Sequence, residues 1–116
     1  MSNDCLFCRI VAGEIPAREV VRTAFGVAFH DLNPQAPTHV LVVPTVHLAN
    51  AAAADSEEGE RIAGRTVRLA AQVAEQLGLV KSGYRLVMNV GSDGGQSVAH
   101  LHVHLLGGRR MTWPPG

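Results

Sequence analysis

Between Ala99 and Leu106 the chain alternates histidine with aliphatic residues: His100, Leu101, His102, Val103, His104, Leu105. On an extended strand successive side chains point to opposite faces, so the three imidazoles share one face at roughly 7 Å intervals, while Leu101, Val103 and Leu105 share the other. The aliphatic face belongs in a core. The opposite face takes three of the six histidines in the chain, an uncommon choice for a merely wetted strand. Aligned imidazoles can bind a metal, or one can act as base or nucleophile while its neighbours hold an anion. Much of an imidazole is unprotonated at neutral pH, which makes it a competent nucleophile toward phosphorus. Just upstream, the glycines of Asp93-Gly94-Gly95-Gln96-Ser97 let backbone N–H groups turn toward an anion, and Ser97 adds a hydroxyl. The same residues also make an ordinary hairpin turn.

A second signal is Cys5-Leu6-Phe7-Cys8. Two thiolates at this spacing reach one tetrahedral Zn²⁺, which needs two more ligands, and spacing alone does not choose among His30, His39, His47, His100, His102 and His104. A redox pair and two buried thiols are the competing readings. The motif does not follow a strand in a βαβ unit, which counts against redox chemistry. His39 sits inside the apolar run Thr38–Val43, either as a core histidine or beside the triple. Asp31 closes the preceding strand, where an aspartate forms a turn or accepts hydrogen bonds from a sugar diol.

The elements that must position these groups form an α+β pattern. Residues 5–12 suit a short helix ended by Glu14-Ile15-Pro16. Strand-like runs follow at Glu19–Arg22, Phe25–Asp31 and Thr38–Val43, the last stopped by Pro44. Asp55, Ser56 and Glu58 resemble a capped start. Ile62, Thr66, Leu69, Ala70, Val73 and Leu77 then recur at helical spacing up to the stop at Gly78. Tyr84–Val90 and Val98–Leu106 complete five strands, expected as an antiparallel meander with one long helix and a short N-terminal helix.

At 116 residues the chain is expected to be a single domain spanning 1–116. Ten basic residues balance ten acidic ones at 47% hydrophobic and 17% charged content. That balance excludes disorder and a whole-chain basic surface for nucleic acid. No run is long enough to span a membrane. Met1-Ser2-Asn3-Asp4 lacks the basic start of a secretory signal, and two close cysteines cannot staple a secreted scaffold. A reduced, cytoplasmic protein is expected. The tail Trp113-Pro114-Pro115-Gly116, with the only tryptophan, is expected to pack on its own domain or on a partner subunit.

His100–Leu106 fits the signature His-φ-His-φ-His-φ-φ, with φ hydrophobic, at every position. Together with Glu14–Ala17, Phe29–Asp31, Pro34–His39, Gly91–Ser97, Gly107–Arg109 and Trp113–Gly116, the chain resembles the histidine-triad superfamily over nearly its whole length. It is most similar to the histidine-triad nucleotide-binding branch. The resemblance implies a homodimer with one continuous sheet and a purine nucleotide site that hydrolyses nucleoside 5′-phosphoramidates. By the family pattern His102 is the nucleophile that forms a nucleotidyl-imidazole, which water then cleaves. His104, Ser97 and the Gly95-Gln96 backbone would hold phosphate oxygens. Asp31 would bind the ribose hydroxyls, Leu6, Ile10, Phe29 and Leu32 would sandwich the base, and Asn89 would lie near the sugar-phosphate. His39 would support the triad from behind. Many bacterial members carry structural zinc on positions matching Cys5, Cys8, His47 and His100. Ala99 stands where an aromatic is common, and Val90 replaces an acidic residue; both bear on the leaving amine. The rival readings are a dinucleoside polyphosphate hydrolase, a nucleotide-binding regulatory module with incidental catalysis, and a zinc hydrolase using the three triad histidines.

Overall fold

Short-range chemistry sets the first element of the computed structural model, which describes residues 4–116; Met1, Ser2 and Asn3, on which the leader expectation partly rests, lie outside the described residues. The Cys5 sulfur accepts from the Cys8 N–H at 3.4 Å and caps α1 (Leu6–Val11), whose Phe7 and Ile10 are buried one turn apart. Gly13, at φ 78°, ends it. Strands β1 (Glu19–Arg22) and β2 (Gly26–His30) form a hairpin, its turn held by the Thr23 hydroxyl, which accepts from the N–H groups of Phe25 and Gly26. Then β3 (Thr38–Pro44) runs antiparallel to β2.

Helix α2 (Glu57–Gln76) begins where the Ser56 hydroxyl accepts from Gly59 N–H at 3.0 Å, with three glutamates in the first turn beside the positive helix end. Gly78, at φ 74°, ends it as expected. The chain closes with β4 (Tyr84–Val87) and β5 (Val103–Gly107).

Every strand pair is antiparallel, in the order β1-β2-β3-β5-β4. The expected meander is therefore corrected: α2 carries the chain past one position to the edge, and β5 returns between β3 and β4. The reason lies in the side chains. Val103, Leu105 and Gly107 of β5 are buried, which suits an inner strand, whereas β4 has no fully buried residue. Three strands are also shorter than expected: β2 covers Gly26–His30 instead of Phe25–Asp31, β4 stops at Val87 and β5 begins at Val103.

Alternate residues of β2 and β3 enter two cores. Ala28, Val40 and Val42 join Leu69, Ala70, Val73 and Ala74 of α2 on one face, with Val103 and Leu105. On the other face Val27, Phe29, Leu41 and Val43 pack with Phe7 and Ile10 of α1. The sheet is thus covered by the long helix on one side and the short one on the other. Gly26 allows the β2–β3 pair to close, since a Cβ there would lie 2.6 Å from the Val43 carbonyl oxygen. Gly26→Ala should cost roughly 1–3 kcal/mol in urea unfolding, because the contact is backbone and cannot swing aside. Unchanged stability would contradict this packing.

Candidate functional site

Register brings the site together. Phe29 on β2, Leu41 on β3 and His104 on β5 are cross-strand partners in one row, so their side chains share the α1 face. Here a cleft of about 290 Å³ opens between α1, the end of β2 and the segment entering β5. Leu6, Ile10, Phe29, Asp31, Leu32, Ser97, His102 and His104, all expected at the site, line it. Phe7, Ile15, Arg18, His30, Leu41 and Val98 line it as well and were not anticipated. For Phe7 the signal was available: it lies three residues before Ile10 on the same helix face.

Other expected residues stand back from the cleft. The Asn89 amide donates to the Gly94 carbonyl at 2.7 Å, bracing the loop. Gln96 is consumed in the same duty: Oε1 accepts from Gly91 N–H and the Asn50 amide, and Nε2 donates to the carbonyls of Ala49 and Val98. The backbone N–H groups of Gly95 and Gln96 donate to Ser92 and Gly91 carbonyls at 3.0 Å. This loop is a built turn around Gln96, and the donor it brings to the cleft is Ser97.

The three triad histidines do not share one strand. Residues 98–102 are irregular, correcting the expected strand from Val98, because their polar groups bond out of the ladder. Leu101 N–H donates to Leu48 O at 2.6 Å, His100 Nε2 to Pro44 O at 3.0 Å, and His102 Nδ1 to His100 O at 2.7 Å. The aliphatic half of the alternation holds, with Leu101, Val103 and Leu105 buried. Of the histidine half, only His104 keeps a strand position, and His100 is wholly buried.

Donor accounting then fixes each ring. A carbonyl only accepts, so His102 carries its proton on Nδ1 and keeps the Nε2 lone pair free. Phe7 meets this ring edge-on, centroids 5.1 Å apart at 81°. Gln35 N–H donates to His39 Nδ1 at 3.0 Å, which puts the His39 proton on Nε2. That proton is donated to His104 Nδ1 at 2.9 Å, so the proton of His104 sits on Nε2. His39 thus stands behind the cleft and orients His104, more than an isolated core histidine.

Burial disfavours protonation of His104 and His39. Desolvation, then the neighbouring His102 and His39, push His104 down to about 4 despite the opposing pull of Asp31. Desolvation also lowers His39, with Asp31 opposing. A histidine that resists protonation when folded but accepts it when unfolded costs stability as pH falls from about 6.5 toward 4. Below that window both states are protonated and the loss is complete. For His104 the loss should reach about 3 kcal/mol, read from urea midpoints at pH 7 and near pH 4. A midpoint that rises on acidification would contradict this assignment.

His100 turns the other way, toward Cys5, Cys8 and His47. Its Nδ1 lies 3.2 and 3.4 Å from the two sulfurs and 3.1 Å from His47 Nδ1, which is 3.3 Å from Cys8 Sγ. All four ligand atoms fall within 4.8 Å of one another. Ligands on a tetrahedron around zinc stand roughly 3.3–3.8 Å apart, so the set fits such an ion. The Nε2–H bond to Pro44 O supports the fit, since it leaves Nδ1 as a lone pair aimed at the sulfurs. With four protein ligands the site would be closed. The three triad rings accordingly do not converge on one metal: His100 faces the cysteines, while His102 and His104 line the cleft, His104 also bonded to His39.

A model described as HIT domain matches residues 12–111. The purine nucleoside phosphoramidase of Escherichia coli (strain K12) is 42% identical over 111 residues, 96% of this chain and 92% of that protein. The 14 kDa zinc-binding protein of Zea mays is 48% identical over 112 residues, 96% and 87% of the two chains. Among solved structures, the HIT family hydrolase from Legionella pneumophila Philadelphia 1 superposes with TM-score 0.93 at 48% identity, covering 97% of this chain and all of that one. On the family match and these near-full-length identities, the chain belongs to the HIT domain family.

Proposed function

We propose that the protein is a hydrolase that cleaves the P–N bond of purine nucleoside 5′-phosphoramidates, with His102 as nucleophile. The observation that carries this reading is the His102 Nδ1 bond to His100 O, which leaves Nε2 free at the cleft. Nε2 attacks phosphorus and the P–N bond breaks as the nitrogen takes a proton from water, so that a neutral amine departs. Water then displaces the imidazole and releases the nucleoside monophosphate. While Nε2 is bonded to phosphorus the ring carries positive charge, which the hydrogen bond to His100 O helps to stabilise. The His104 Nε2–H and the Ser97 hydroxyl hold phosphate oxygens, and fixed donors of this kind supply a large part of such catalysis. Leu6, Ile10, Phe29 and Leu32 enclose the base, and Asp31 binds the ribose hydroxyls. Asn89, Gly95 and Gln96 contribute by shaping the loop that delivers Ser97.

Cys5, Cys8, His47 and His100 would hold structural zinc, which when bound would cross-link α1 to the segment carrying the triad. The protein works as a homodimer in one continuous sheet. The β4 edge suits that pairing better than β1, which has a register irregularity between Glu19 and Val21 and exposed charged ends. Exposed Trp113 and Val90 would be covered there. Among the described residues no helix is long and apolar enough to cross a membrane.

The test compares AMP release from adenosine 5′-phosphoramidate with cleavage of diadenosine polyphosphates. Faster turnover of the phosphoramidate is expected. Preference for the dinucleotide would move the reading to a polyphosphate hydrolase, and AMP binding without turnover to a regulatory module.

A further inference from the structure

At the wall of the cleft Asp31 and His104, with His39 behind them, bring a carboxylate oxygen and two ring nitrogens within 4.8 Å of one another. Such a trio could be a metal set, but the hydrogen bonding argues otherwise. With Gln35 N–H donating to His39 Nδ1, His39 Nε2 carries a proton and has no lone pair to offer a cation. Asp31 Oδ2 lies 3.4 Å from that same Nε2. This exceeds an ordinary hydrogen bond, and the nearer acceptor is His104 Nδ1 at 2.9 Å, so the contact is chiefly electrostatic. It is nonetheless held in place. Asp31 Oδ1 accepts from Asn33 N–H at 2.8 Å, and the Asp31 N–H donates to His39 O at 2.9 Å. The His39 side chain is 5% exposed and that of Asp31 20%, so solvent screens the charge weakly.

We propose that Asp31, besides its contact with the ribose, is a positioning residue: its carboxylate keeps the shared proton on His39 Nε2 and so fixes His104 as the tautomer that donates from Nε2 into the cleft. Gln35 constrains the pair from one side and Asp31 from the other. The inference rests on the proposed function for the anion that His104 serves, but the tautomer can be read without substrate.

The test is Asp31→Asn, which keeps the shape and the acceptor for Asn33. In ¹⁵N-imidazole spectra of the ligand-free protein, wild-type His104 should show protonated Nε2 and bare Nδ1, and the variant a mixture. Kinetics would use adenosine 5′-phosphoramidate and its 2′,3′-dideoxy analogue. A role through His39 predicts a kcat loss of roughly tenfold with both substrates, and a raised KM only where the ribose hydroxyls are present. A His104 tautomer unchanged in a well-folded variant would overturn the inference, as would a kcat loss that vanishes with the dideoxy substrate. If wild type turns over neither compound, the proposed reaction falls, and the spectra alone decide the role of Asp31.

Discussion

His102→Ala should lower kcat/KM for adenosine 5′-phosphoramidate by at least about 10⁴-fold while AMP still binds within a few-fold of wild type. The expectation follows from the division of labour in the cleft. Leu6, Ile10, Phe29 and Asp31, which would hold base and sugar, do not depend on the His102 ring, whereas the covalent step has no substitute for Nε2. Some stability should go with it. His102 is 6% exposed, packs against Phe7, and satisfies the His100 carbonyl, so the variant leaves a small cavity and an orphaned acceptor. A cost of roughly 1–3 kcal/mol is expected, small enough for the variant to fold and be assayed. Parallel calorimetric titration with AMP separates lost chemistry from lost binding. A variant that retains a tenth of the wild-type rate would remove His102 from the nucleophile's role.

Loss of the metal should be the largest effect on stability. Replacing Cys5 and Cys8 together by serine, or stripping the protein with a strong chelator, should lower Tm by roughly 10–20 °C. That corresponds to a loss of about 3–5 kcal/mol in a domain of this size. Here the four ligands join the N-cap of α1 to His47 beyond β3 and to His100 before β5. Without the ion α1 is held by the packing of Phe7 and Ile10 on the sheet and by the Arg22 guanidinium, which donates to the Ile10 and Val11 carbonyls, while His100 keeps its bond to Pro44 O. Because α1 also walls the cleft, KM should rise while the chemical step changes little at temperatures where the variant is folded. Scanning calorimetry with metal analysis by mass spectrometry reads both quantities. Purified wild type that carries no zinc and melts at the same temperature with chelator would contradict the assignment.

What the sequence disclosed depended on how local the cause was. The N-cap at Ser56, the stop at Gly78 and the spacing of Leu69, Ala70 and Val73 lie within one element, and α2 could be read from them directly. Strand order could not. It turns on a comparison between Val103-Leu105-Gly107 and the less buried Tyr84–Val87, made only when all strands compete for places in one sheet. The triad shows both sides. Alternation correctly sent Leu101, Val103 and Leu105 to the core, yet periodicity alone implied a strand through His100 and His102. There the imidazoles bond to Pro44 and to the backbone itself, a long-range competition that no local pattern reveals. The loop before the triad shows the same dependence on distant partners. Gly95 and Gln96 looked like donors, but Gln96 ties Ala49, Asn50, Gly91 and Val98 together, and those partners come from distant sequence. Family resemblance singled out Cys5, Cys8, His47 and His100, and the structure brings these four together, whereas Cys-x-x-Cys alone left all six histidines open.

The most direct test of a covalent route through His102 is to trap the intermediate. Wild-type protein mixed with excess adenosine 5′-phosphoramidate, quenched under conditions that preserve phosphorus–nitrogen bonds to imidazole, should gain the mass of one adenylyl group. Peptide mapping should place that group on His102, and His102→Ala should gain nothing. Turnover without any adduct across the quench series, or an adduct on another residue, would contradict the account.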